Sequence, residues 1–120
     1  MFKTSPPVDF GQYINVEEGL ARIRGNKTVY KAMLTAFLKD TTTASLQQAL
    51  EDGDLVAAER GAHSLKGMAG NLSFPALFRV STDLDALLKE EKRSEDLENE
   101  LSIAAVKTNE YVVWLQGNLD

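Results

Sequence analysis

From Leu55 to Leu72 the apolar residues Leu55, Ala58, Ala62, Leu65, Ala69 and Leu72 recur at spacings of 3, 4, 3, 4 and 3. An α-helix turns by roughly 100° per residue, so these six side chains form one stripe, and the run reads as an amphipathic helix. The only histidine of the chain, His63, lies in the same run. By the same winding it points roughly 130° away from the middle of the stripe. It should therefore face solvent, with Lys66 one turn further on. Gly61, Gly67 and Gly70 also fall in this helix, although each costs about 1 kcal/mol relative to alanine in a helix interior. Gly67 is at i+4 and Gly70 at i+7 from His63, so both bare positions lie on the face of the imidazole. A helix that tolerates that cost beside an exposed histidine leaves the ring open to approach.

The other segments extend the helical pattern over most of the chain. Ser5-Pro6-Pro7 disfavours a helix, and residues 1–11 read as an N-terminal tail ahead of a domain over residues 12–120. Asn15 with Glu18 three residues on caps a short helix through about Ile23, closed by Gly25. Asn26 can cap a long second helix from about Thr28 to Asp52, in which Thr41-Thr42-Thr43 is a weak point that packing should carry through. Gly53 and Asp54 follow as a helix-ending glycine and the cap of the histidine helix. Ser73-Phe74-Pro75 offers a cap and a first-turn proline to a fourth helix with Leu77, Val80, Leu84, Leu87 and Leu88 inward. Ser94 caps the last helix, whose first turn carries Glu95, Asp96 and Glu98, and Gly117 should end it. No segment alternates like a strand without an equally good helical reading. The expected fold is all-α, an antiparallel up-down-up-down four-helix bundle with a short extra N-terminal helix.

Composition narrows the chemistry. A length of 120 residues suits one core, and a net charge of −5 with no Lys/Arg-rich run argues against nucleic acid as a partner. The absence of cysteine excludes disulfides, zinc–thiolate sites and thiol nucleophiles. No apolar run approaches the roughly 18–20 residues of a membrane span, and no signal peptide is evident, so the expectation is a cytoplasmic monomer without membrane insertion. There is no phosphate-binding glycine loop followed by Lys and Ser or Thr, and no kinase signature. Neither a nucleotide site nor a dedicated Mg²⁺ site is legible. A neutral imidazole, with an unperturbed pKa of about 6.5, is nonetheless a competent nucleophile near neutral pH.

The stretch from Ala62 through His63-Ser64-Leu65-Lys66-Gly67-Met68-Ala69-Gly70-Asn71-Leu72 resembles the signature of histidine-containing phosphotransfer (HPt) domains, roughly A-H-x-L-K-G-x-A-x-N-L-G. It departs at Ser73, where the family usually has glycine. The resemblance implies a phosphocarrier of a two-component phosphorelay, without kinase or ATPase activity of its own. His63 would accept a phosphoryl group on Nε2 from a receiver-domain aspartate and pass it to another, with Lys66 stabilising the phosphate charge. Gly67, Gly70, Ser64 and Glu59 would form the face around the histidine on which receiver domains of response regulators or hybrid sensor kinases dock. The domain would hold no metal or cofactor, and the required Mg²⁺ would sit on the partner. Two other readings are open at this point: the phosphoacceptor domain of a chemotaxis-type histidine kinase, and a non-catalytic helical adaptor with an incidental histidine.

Overall fold

The computed structural model describes residues 1–120 and is helical throughout, with one isolated bridge between Phe2 and Leu119 and no strand. The helices are α1 (Phe10–Tyr13), α2 (Val16–Ala21), α3 (Lys27–Lys39), α4 (Thr42–Asp52), α5 (Leu55–Leu72), α6 (Pro75–Lys89) and α7 (Glu95–Asn118). The caps form as their residue types require. The side-chain oxygens of Asn15, Asn26, Asp54 and Ser94 accept from the backbone N–H of Glu18, Val29, Ala57 and Leu97. Gly53 takes the left-handed conformation, φ +71°, that ends α4 and turns the chain directly into α5.

α5, which carries His63, lies at the centre of the packing. It packs against α4 on one side and α6 on the other, and its stripe of Ala58, Ala62, Leu65, Ala69 and Leu72 is buried. Gly61, beside that stripe, lets α4 approach closely: a Cβ there would come 3.1 Å from Leu46 Cβ. α6 contributes Leu77, Val80, Leu84 and Leu88, and α7 contributes Leu101, Ala104, Tyr111, Val112 and Leu115. Burying branched and aromatic side chains at roughly 25 cal/mol per Å² is what holds such a bundle together.

Four expectations are corrected. The long second helix is two helices, α3 and α4. At the break Asp40 is extended (φ −72°, ψ 140°) and its Oδ1 accepts from Thr42 N at 2.7 Å. An Asp side chain competes for the backbone here, next to three threonines of low helix propensity, and the two effects together outweigh helix continuity. Ser73 does not cap α6. It is the left-handed C-cap of α5, φ +58°, while Phe74 sits at the start of α6 without a side-chain bond and Pro75 takes the first turn. Gly117 does not end α7, which runs to Asn118. Residues 1–11 do not trail as a tail: Lys3 N donates to Asn118 O, Phe10 is buried, and Phe2 packs edge-on to Phe10 and Trp114.

Candidate functional site

His63 stands where the winding of α5 puts it, on the solvent side, with 65% of its side chain exposed. Its Nδ1 lies 3.3 Å from Asp85 Oδ2 on α6. A carboxylate can only accept, so the proton of the neutral ring belongs on Nδ1, and Nε2 keeps its lone pair. Asp85 itself is only 2% exposed. The same oxygen holds two ammonium groups, Lys66 Nζ at 3.8 Å and Lys89 Nζ at 3.4 Å. Burial raises the pKa of Asp85, but the polar groups of Glu59, His63 and Lys89 beside it and the charge of Lys89 outweigh that effect and hold the carboxyl below its ordinary value. An ionised Asp85 therefore orients the imidazole and gathers positive charge beside it.

Glu59 lies one turn before His63 on α5 and is half-buried. One ligand atom from each of Glu59, His63 and Asp85 falls within 4.8 Å of the others. Ser64 and Gly67 are exposed, and a Cβ built at Gly67 meets nothing within 4 Å. Both border an open groove between α3 and α5 whose floor includes Met33, Phe37, Met68 and Leu72. Gly70 is different: a Cβ there would come 3.2 Å from Phe78 Cε1, so its bareness accommodates the α6 ring. Of the three glycines of α5, two serve helix packing and one leaves open surface next to the histidine.

Sequence reasoning missed Asp85 and Lys89. A signal for Asp85 was there: it lies at i+4 from Ser81 and i−3 from Leu88, inside the buried face of α6, where an unpaired carboxylate would be costly. Lys89 follows from it at i+4. The identity of the partner across the helix interface could be read only from the packing of α5 on α6.

A helical bundle that displays one imidazole to solvent, anchored on a buried carboxylate with two ammonium groups on the same oxygen, belongs to the class of modules that present histidine chemistry on a helix face. The model of the Hpt domain family matches residues 32–112, more than half of the chain, and the chain belongs to that family. Its role is histidine phosphotransfer in two-component signalling; Hpt domains are phosphocarriers rather than enzymes and work with receiver domains. Among solved structures it is similar to the HPt domain of a sensor hybrid histidine kinase from Shewanella, with 21% identity, 91% of each chain covered and a TM-score of 0.67, a likeness of fold. No curated protein matches the chain. No helix is long and apolar enough to cross a membrane.

Proposed function

We propose that His63 is the phosphoacceptor, taking a phosphoryl group from the aspartyl phosphate of one receiver domain and handing it to the aspartate of another. The observation that carries this reading is the ring's anchorage: Nδ1 on the buried Asp85, with Nε2 left as the free nucleophilic nitrogen. The Nε2 lone pair attacks phosphorus, the Nε2–P bond forms, and the acyl-phosphate P–O bond breaks with its electrons leaving on the aspartate carboxylate. The ring becomes cationic and keeps its Nδ1 proton, and the Asp85 carboxylate beside it compensates that charge. Lys66 and Lys89 swing from Asp85 toward the incoming phosphate and neutralise part of its charge. Mg²⁺ and the catalytic aspartate come from the receiver, so the domain acts as a carrier without ATP chemistry of its own.

The receiver docks over α5, with Ser64 and Gly67 beneath it, Glu59 at the edge, and the groove between α3 and α5 receiving its apolar contacts. Gly70 contributes to this face through Phe78, which it allows to lie close against α5. In this reading the long helices run antiparallel, up-down-up-down, with α3 and α4 together serving as one arm, and the domain acts as a cytoplasmic monomer.

Incubation with a phosphorylated receiver domain tests the assignment. The chain takes up label that is acid-labile and alkali-stable, His63→Gln abolishes it with little change in melting temperature, and Lys66→Ala slows uptake without unfolding. Label retained by His63→Gln would overturn the proposal, and an unchanged rate in Lys66→Ala would leave that lysine an ordinary surface residue.

A further inference from the structure

The contact between Glu59, His63 and Asp85 is more than transfer chemistry requires. A phosphoacceptor imidazole needs one anchoring acceptor, and Asp85 supplies it. Glu59 brings a second carboxylate into the same 4.8 Å cluster. Two carboxylates at such range repel unless a proton or a cation lies between them. Asp85 Oδ2 is the oxygen that faces His63; the other oxygen of the same carboxylate, Oδ1, is buried without a hydrogen-bond partner, on a side chain that is only 2% exposed. A buried acceptor of that kind has lone pairs to give and is costly to leave without a partner.

We propose that Glu59, His63 and Asp85 form a binding site for a divalent transition-metal ion of the zinc type, and that its occupancy switches off the histidine as a phosphoacceptor. The second half of the proposal rests on the reading of His63 given above. An imidazole nitrogen with two carboxylate oxygens is a donor set that suits Zn²⁺, and three protein ligands leave a position for water. Glu59 and His63, at i and i+4 on α5, project side by side, while Asp85 faces them from α6. Metal–ligand bonds of about 2.0–2.2 Å place tetrahedral ligands roughly 3.4 Å apart. Rotation of the half-buried Glu59 and the exposed His63 closes the difference, and Asp85 stays in place.

Charge and tautomer make binding and transfer mutually exclusive. The two ammonium groups on Asp85 Oδ2 belong to side chains that reach solvent, so Lys66 and Lys89 can turn outward while the two charges of the ion take their place. The nitrogen facing Asp85 is Nδ1. A metal there uses the Nδ1 lone pair and sends the ring proton to Nε2, which then has no lone pair with which to attack phosphorus.

The test adds Zn²⁺ to the metal-free full chain with no receiver present, followed by calorimetry and by the ¹⁵N shifts of the His63 ring. One equivalent binds, and the ring proton moves from Nδ1 to Nε2. Glu59→Gln and Asp85→Asn each weaken binding by about tenfold or more, His63→Gln weakens it further, and the Lys66→Ala/Lys89→Ala double variant tightens it. Absence of saturable binding, or binding unchanged in Glu59→Gln and Asp85→Asn, overturns the site. A second arm follows transfer from a phosphorylated receiver as Zn²⁺ is raised. Inhibition follows occupancy in the parent and requires more zinc in Glu59→Gln. Zinc that binds without slowing transfer, or that slows parent and Glu59→Gln alike, overturns the switch. Failure of the metal-free parent to take label would instead overturn the phosphoacceptor reading, with the calorimetry still deciding the site.

Discussion

A Cβ built at Gly67 meets no atom within 4 Å, whereas one at Gly70 falls 3.2 Å from the ring of Phe78. Gly67→Ala should therefore stabilise by up to about 1 kcal/mol, because alanine restricts the unfolded chain and fits the helix. Gly70→Ala should fall short of that gain, since the Phe78 ring must move to admit the methyl. Gly67→Gln should keep the fold and still suppress receiver-to-His63 transfer, by projecting a side chain where the aspartyl phosphate approaches. Melting curves and transfer rates decide this, and a Gln variant working at the parent rate would mean that the bare surface is no access route. Tyr30 illustrates a different economy at this scale. Its hydroxyl is buried without a hydrogen-bond partner, and burial pushes its pKa up from 10.0 to about 12. Above pH 10 the unfolded chain loses that proton more readily than the folded one, so the stability tied to the protonated hydroxyl is full below pH 10 and is lost as pH rises to about 12. Tyr30→Phe should be stabilising by about 1 kcal/mol at neutral pH and should flatten this alkaline decline, as read by thermal melts across pH.

At the scale of elements, the end of α5 is held by Ser73 in a conformation that glycine adopts without strain. Ser73 has φ +58°, donates its Oγ–H to Glu18 Oε1 at 2.9 Å, and accepts from Arg22 Nε at 3.1 Å. Those bonds tie α2 to the α5–α6 turn and offset a left-handed cost of roughly 1–2 kcal/mol. Ser73→Gly should then be close to neutral, losing the bonds as it relieves the strain, while Ser73→Ala loses the bonds, keeps the strain and should cost about 1–2 kcal/mol. Denaturant unfolding of the two variants separates the terms; equal losses in both would show that the backbone here is unstrained. The break between α3 and α4 belongs to the same scale. It lets α4 lie against α5 closely enough for Leu46 to meet Gly61, while α3 turns toward α7.

Over the whole molecule the two ends of the chain clasp each other. Phe2 pairs with Leu119, Asp120 N donates to Met1 O, and the rings of Phe2, Phe10 and Trp114 meet with centroids 5.3 to 5.6 Å apart. The phenol of Tyr111 donates to Asp9 close by. This aromatic cluster makes the first residues part of the folding unit, so Phe2→Ala should lower stability by about 2 kcal/mol, below the 3–5 kcal/mol of a fully buried phenylalanine because Phe2 is only half-buried. Calorimetry on that variant tests the clasp; an unchanged melting temperature would return residues 1–11 to the status of a tail. Transfer by His63 should be unaffected, since none of these aromatic residues belongs to the histidine site.

The helices, their caps and the solvent-facing phase of His63 were legible in the sequence because each depends on neighbours within a turn or two. Spacing of 3 and 4, an Asn, Asp or Ser ahead of an apolar run, and a glycine behind it act locally, and the protein keeps nearly all of them. What needed the tertiary structure was every choice between competing local options and every contact across helices. Asp40 could continue a helix or bond to Thr42, and the packing of α4 on α5 accompanies the second. Gly61, Gly67 and Gly70 carry the same local signal, and only the positions of Leu46 and Phe78 distinguish packing glycines from an open one. Asp85 lies twenty-two residues from His63, and its pairing with Nδ1 exists because two helices pack in one register, a property of their shapes together that no single periodicity encodes.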